Sequence, residues 1–391
     1  IEACLVGSEM CIRDRVIGRL IRMADHNNTG GPLSGLKVVE FDGLGPTPFS
    51  AMQLADMGAN VIRIARKTGT QAANQFTDVV IRNRSYIELD LKDVDDIASA
   101  KKIVSHSDIL IEGFRPGVME RLGLGPSEML SANKKLVYGR MTGWGQKGPL
   151  SNTAGHDINY ISISGALHAI GTKDTPIAPL NLLGDFAAGS MYLVFGILCA
   201  VLHAKQTGQG QVVDGSIVDG TANLMAMMYS MFNFKQWEDR RDINLLDGGA
   251  PFYTTYKTSD SRHISVGAIE DKFYLEFITK LDLKLDELPN RTDKSNWPKL
   301  KDIFQEIIKK KTMREWEEIY YGTDACVAPV LNFKEAFVDP HNKYRGIFPE
   351  AFNIIQPKPA PDLSVTPAPN ITEKHKIKLT EAELFSLWGI D

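Results

Sequence analysis

The sequence predicts an α/β protein: a Rossmann-like large domain with a mostly parallel sheet, followed by a smaller α+β domain. Three observations predict it. Short apolar runs alternate with helical stretches from Pro32 to Met141, Gly/Pro-rich turns follow the first of these runs, and near Asp239 the pattern changes to charged amphipathic helices around two strands.

Leu36 to Phe41 reads as a strand, Gly43 to Pro48 as a turn, Phe49 to Met57 as a helix and Asn60 to Ile64 as a second strand, which together make a βαβ unit. The alternation continues with a strand at Tyr86 to Leu91, a helix at Val94 to Ser105, a strand at Ile109 to Glu112, a short helix at Val118 to Leu122 and a strand at Leu136 to Met141. In such a sheet, ligands bind beyond the carboxyl ends of the strands. The first turn, Gly43-Leu44-Gly45-Pro46-Thr47-Pro48, is not a GxGxxG fingerprint, so no nicotinamide or flavin is expected. An apolar run from Phe186 to Leu202 predicts a buried helix and is just short of typical membrane-spanning length. A strand at Gln211 to Ser216 then leads into a Met-rich helix carrying Met225, Met227, Met228 and Met231, whose ordinary role would be core packing. Strands at Phe252 to Lys257 and His263 to Val266 and helices through Tyr321 complete the small domain. A tail with five prolines from Pro357 to Pro369 runs mostly extended to a last helix at Glu381 to Leu387. The expected division is a large domain over 32–238, a small domain over 239–340 and a tail over 341–391 that returns to the large domain.

With 391 residues, 43% of them apolar, the chain can bury a sizeable core, and its net charge of −4 gives no overall attraction to nucleic acid or to an anionic membrane. Four scattered cysteines without a CxxC pair exclude a zinc knuckle or disulfide framework and point to a reducing compartment. Residues 1–31 lack an initiator Met and a signal-peptide pattern, and Cys4 to Arg15 resembles translated sequencing-library adapter, so this stretch is set aside as a non-native-looking or disordered extension.

Two groups that can carry a proton stand just before helical runs: His156 in Gly155-His156-Asp157-Ile158-Asn159-Tyr160, and Asp185 in Pro179 to Phe186. Placed on opposite faces of one carbon, they would remove a proton from one side and return it on the other. An isolated histidine is more often a capping or buried residue, and an Asp directly before a helix is a favoured N-cap worth ~1 kcal/mol. Asp157 has the same bland reading, as a cap of the helix that begins at Ile158.

These two segments, with Asp247 to Tyr253, Val266-Gly267-Ala268-Ile269-Glu270 and Asp324-Ala325-Cys326-Val327-Ala328-Pro329-Val330, resemble the alpha-methylacyl-CoA racemases, a branch of the class III (family III) CoA-transferase superfamily. The resemblance runs from about Gly35 to the tail. It implies interconversion of (R)- and (S)-2-methylacyl-CoA thioesters by an interlocked homodimer, with no metal, PLP or nicotinamide cofactor, since CoA belongs to the substrate. His156 would be one acid/base and Asp185 the other. Glu270, brought from a small domain, would polarise the imidazole. The backbone N–H of Asp157 would hold the thioester oxygen. Arg66, Lys92, Gly113, Arg115 and Arg121 match positions that contact CoA, and the Met-rich helix, with Met141, would line a permissive acyl surface. The alternative within the superfamily is a CoA-transferase with Asp185 as nucleophile. His156 argues against it, because a transferase needs no second base. The expected partners are thus the thioester and a second copy of the chain, with neither nucleic acid nor membrane insertion. The ending Leu387-Trp388-Gly389-Ile390-Asp391 is no peroxisomal address, which leaves cytoplasm, if bacterial, or mitochondrion.

Overall fold

The computed structural model describes residues 30–67, 79–374 and 377–390; the expectations for residues 1–29 lie outside these. The described chain forms two compact units. One takes the residues through Ile161, Asn181–Asn223 and those from Ile347 on, and the other takes Ser162–Leu180 and Leu224–Gly346. Ser162–Leu180 and the residues from Leu224 to Glu238 therefore group with the second unit, which differs from a single cut after 238. The residues from Ile347 on group with the first unit, where Tyr86 N–H donates to the Ile377 carbonyl at 3.1 Å and Leu379 N–H to the Tyr86 carbonyl at 2.8 Å.

The first unit is built on six parallel strands, β1 (Lys37–Phe41), β2 (Asn60–Ala65), β3 (Ser85–Glu88), β4 (Ile109–Glu112), β5 (Val137–Thr142) and β6 (Gln211–Ser216), in the order β3-β2-β1-β4-β5-β6. The period of two along these runs sends alternate side chains to opposite faces. Val39, Phe41, Ile62 and Leu110 join the Val94–Ser105 helix and the C-terminal Leu384 and Trp388 in one core, while Val38, Val61, Ile109 and Ile111 join Leu54, Leu193 and Ile197 in the other. Both faces are covered, as a parallel sheet requires. The order reverses between β1 and β4, so the crevice beyond their carboxyl ends is the expected ligand position.

Several boundaries move for local reasons. The helix predicted from Phe49 begins at Pro46, because proline is already set for a first helical position that needs no N–H bond. The strand predicted to run to Leu91 stops at Glu88, where turn chemistry takes over: Asp90 Oδ1 accepts from Lys92 N–H at 3.1 Å, and Asp93 caps the next helix through the amides of Asp95 and Asp96. A helix at Pro126–Ala132 joins the set.

The long apolar run becomes one continuous helix, Leu182–Thr207, whose first ten residues, Leu182–Met191, are π-helical. By length and composition it could cross a membrane, but one face packs into the sheet core through Leu193, Ile197, Ala200 and Ala204. The expectation of a buried helix is therefore corrected to half-burial, with Phe195 69% and Leu202 59% exposed. The core role expected for the methionine helix is also corrected. No residue of Ala226–Asn233 is buried and Met227 is 52% exposed, whereas Met141 on β5 is buried.

The second unit carries an antiparallel sheet of β7 (Tyr253–Lys257), β8 (His263–Gly267) and β9 (Val327–Pro329) in that order. The helices Asp271–Lys280, Trp297–Ile308 and Met313–Tyr320 belong to the same unit, whose core contains the edge-to-face pair Phe277 and Phe304, 5.1 Å between centroids.

Candidate active site

Beyond the ends of β4 and β5 lies a cavity of about 300 Å³, lined by the loop that starts at Gly113, by Thr142 to Trp144, and by the approach to His156. Gly113 is required here: a Cβ on it would stand 2.2 Å from Thr47 Oγ1, so only glycine lets the loop after β4 pass the Pro46–Asp56 helix. Arg115 is exposed on the same loop and also lines the cavity.

His156 is held by its neighbours. Its amide donates to Asn159 Oδ1 at 3.0 Å, its carbonyl accepts from Asn159 N–H at 2.8 Å, and the Tyr160 hydroxyl donates to the Gly155 carbonyl. The Tyr160 ring meets Trp144 edge-on, 4.7 Å between centroids, so the loop carrying His156 is fixed from both sides. The imidazole is exposed and lines the cavity.

Asp157 is the second residue of this turn, and its role differs from the capping expected of it. It opens its own helix, Asp157–Ile163, where a first-turn N–H lacks an intrahelical acceptor. Its buried carboxylate instead reaches the start of the Leu182–Thr207 helix: Oδ1 accepts from Asp185 N–H at 2.6 Å, and the Gly184 amide also donates to this carboxylate. Burial raises the Asp157 pKa and these amides draw it back.

Asp185 is accordingly not the N-cap predicted for it. It lies within the first turn of the helix and makes no capping bond, because Asp157 supplies that acceptor and Asn181 occupies the cap position. Its half-buried carboxyl accepts from Asn181 Nδ2 at 3.3 Å. Burial pushes its pKa above the usual carboxylate value. The Asn181 amide opposes the shift, Asp157 adds to it, and the imidazole of His156 lowers it, which makes His156 and Asp185 electrostatic neighbours in the first unit. The π-helical turn permits this presentation, with Phe186 N–H reaching five residues back to the Asn181 carbonyl. Phe186 stacks on Phe49, 4.4 Å between centroids.

The remaining candidates are placed as follows. Gly113, Arg115 and His156 share the cavity; Arg66 and Lys92, in the segments that follow strands, and Arg121, at the end of the short helix Val118–Arg121, are exposed outside its lining. Glu270 belongs to the second unit, exposed at the N-terminus of the Asp271–Lys280 helix, where its charge raises the pKa of the Cys326 thiol in addition to the effect of burial. Trp144, Asn181 and the Asp157 carboxylate are site residues that pattern reading missed. Trp144 alone left a signal, a Gly-Trp-Gly in the loop after β5.

Gly184 offers a test of this arrangement. A Cβ there would stand 2.3 Å from Asp157 Oδ1, so Gly184→Ala must displace the carboxylate that positions Asp185. The turnover of the site is expected to fall by about 10²-fold, the scale of an ångström-sized misplacement, with the far-ultraviolet spectrum unchanged. Wild-type turnover in this variant would remove Asp157 from the design of the site.

An imidazole lining a strand-end cavity, with a carboxyl of raised pKa as its electrostatic neighbour, equips this α/β protein for acid–base work. The chain belongs to CoA-transferase family III, whose model matches residues 33–371. It is 45% identical over 338 residues to alpha-methylacyl-CoA racemase of Homo sapiens, covering 86% of this chain and 87% of that protein. It is 26% identical over 346 residues to succinyl-CoA:glutarate CoA-transferase of Homo sapiens, covering 84% and 78% of the two. A solved CAIB/BAIF family protein from Brucella suis shares the fold, with a TM-score of 0.77 at 21% identity, covering 93% of this chain and all of the other.

Proposed function

We propose that this protein is an isomerase that interconverts the epimers of 2-methylacyl-CoA thioesters by 1,1-proton transfer. The observation that carries the reading is His156 lining the cavity with Asp185 as its electrostatic neighbour, a half-buried carboxyl whose pKa burial raises and the imidazole lowers. The identity to the human racemase supports the substrate class.

The chemical difficulty is a weak carbon acid. With a thioester α-proton of pKa about 20 and a base of about 4 to 7, the gap is on the order of 18 to 22 kcal/mol at 1.36 kcal/mol per unit. Neither base closes it unaided. The first-turn N–H of Asp157 supports the thioester oxygen as enolate charge develops, and the planar intermediate then receives a proton from the other base. His156 serves the (S) face and Asp185 the (R) face. CoA phosphates are met by Arg115 with Arg66, Lys92 and Arg121, and Gly113 allows close approach of backbone. In an interlocked homodimer Glu270 of one subunit polarises His156 of the other. The exposed apolar face of Met191, Phe195, Leu198 and Leu202 supports burial against a second copy.

The test is incubation of a pure 2-methylacyl-CoA epimer in deuterated water without an acceptor acid. The expected result is α-deuterium incorporation and convergence to near-equal epimers. An α-carbon that stays protiated while CoA moves to added carboxylates would replace this reading with the transferase one.

A further inference from the structure

Three charged residues beneath the cavity do not line it, and they bracket the loop that does. β4 ends at Glu112, fully buried, and the chain continues through Gly113-Phe114-Arg115-Pro116-Gly117 into the short helix Val118–Arg121. Glu112 Oε2 accepts from the Phe114 amide at 2.7 Å, at the start of that loop. Its Oε1 accepts from Arg140 Nε at 2.9 Å, and the two terminal nitrogens of Arg140 donate to Glu120 at 2.7 and 3.3 Å, just past the loop's end. One guanidinium on β5 thus holds both ends of a five-residue segment, of which Gly113, Phe114, Arg115 and Pro116 face the cavity.

An ion network kept for stability alone would be a poor use of these residues. A buried carboxylate held by a guanidinium and one amide is often no more stabilising than well-packed apolar side chains, and in some proteins such groups serve to fix one geometry. The cost is visible at Glu112, whose pKa is pushed up to about 7 by burial although the Phe114 amide and Arg140 pull it down. Glu120, at the open end of the network, is held below its ordinary value by Arg140 despite some burial.

We propose that Glu112, Arg140 and Glu120 form a clamp that positions the Gly113–Gly117 loop to receive the CoA portion of the substrate. The inference rests on the reading of the cavity as a CoA-thioester site, and it makes Glu112 and Arg140 positioning residues, acting through the Phe114 amide and the placement of Arg115. A planar guanidinium is needed because it must meet three carboxylate oxygens from two directions at once, which a lysine cannot do.

The experiment is calorimetric titration of CoA itself into the full chain and two variants. Glu112→Gln keeps shape but turns an NH₂ toward either the Phe114 N–H or Arg140. CoA should bind about tenfold more weakly, the scale of one charge-assisted hydrogen bond lost. Glu120→Ala acts at a half-exposed side chain and so leaves the fold intact; about threefold weaker binding is expected, and the double variant should fall short of the product of the two effects because both act through Arg140. In α-proton exchange, Glu112→Gln should raise KM far more than it lowers kcat, a split that general loosening of the fold does not give. Wild-type affinity for CoA in both variants overturns the clamp, as does a wild-type chain that takes up no CoA. A chain that binds CoA but exchanges no α-proton defeats the racemase reading alone, and the titration of the variants then still decides the clamp.

Discussion

Asp185→Asn is expected to lower the rate of epimer interconversion by about 10²- to 10⁴-fold from either epimer, because every turnover uses both bases and an amide can neither take nor return the proton. The change is close to isosteric, and the amide of Asn181 stays beside it, so the fold should persist. His156→Gln should give a loss of the same order. The informative readout is α-proton exchange in deuterated water with each epimer separately, since loss of a nucleophile would also stop CoA transfer. The two variants should differ in which epimer still washes out its proton: the one keeping His156 should exchange only the (S) epimer, and the one keeping Asp185 only the (R). Equal residual exchange of both epimers in both variants would contradict opposed bases. The pH profile follows from the direction of the Asp185 shift. Burial raises its pKa, so from the (R) epimer, where Asp185 is the base, the acid limb of the rate should lie higher than for an ordinary carboxylate, and from the (S) epimer, where Asp185 returns the proton, the same shift moves the alkaline limb up.

The largest stability effect is expected at Arg84. Its side chain is 1% exposed and that of Glu40 is fully buried; the guanidinium donates to Glu40 Oε2 at 2.6 Å and to the Pro48 carbonyl at 3.0 Å. Among the described residues Glu40 Oε1 has no hydrogen-bond partner, so Arg84 is its main compensation. Arg84→Met leaves a carboxylate stranded in the sheet, and removing one partner of a buried pair costs about 3–5 kcal/mol. Burial already holds the Glu40 pKa above its ordinary value against the pull of Arg84, and the variant raises it further. A group with a raised folded-state pKa binds more protons folded than unfolded, so its contribution to stability is present at acid pH and is lost as pH rises through that interval. The deficit of Arg84→Met relative to wild type should therefore be smaller at about pH 5 than at about pH 8 in denaturant unfolding. Adding Glu40→Leu should recover most of it. A deficit independent of pH would mean that lost packing, rather than the stranded charge, is responsible.

Much of the first unit was legible because its signals are local. The helix Val94–Ser105 and the strands Ile109–Glu112 and Gln211–Ser216 have the predicted boundaries, each set by period and flanking turn residues within a few positions. His156 and Asp185 could be singled out as candidate acid–base groups from their place before apolar runs, and the family from the order of the quoted motifs. The misses have a common origin. The methionine helix and the outer face of Leu182–Thr207 carry core-like composition yet are exposed in this chain, because composition reports how much surface prefers to be buried and not which element covers it.

The alternation of apolar side chains, the turns and the acid–base residue types were thus determined by the sequence alone, since each depends on dihedral preferences and side-chain period over short spans. The packing of the chain decided the rest. It carried the Asp157 carboxylate 28 residues along the sequence to cap the turn of Asp185, placed the imidazole where it lowers the pKa of that carboxyl, and tied the loop after β4 to Arg140 on the neighbouring strand. Those contacts join segments whose local patterns are independent of one another, so only burial of the shared sheet core, which fixes where each segment ends, brings their polar groups within bonding distance.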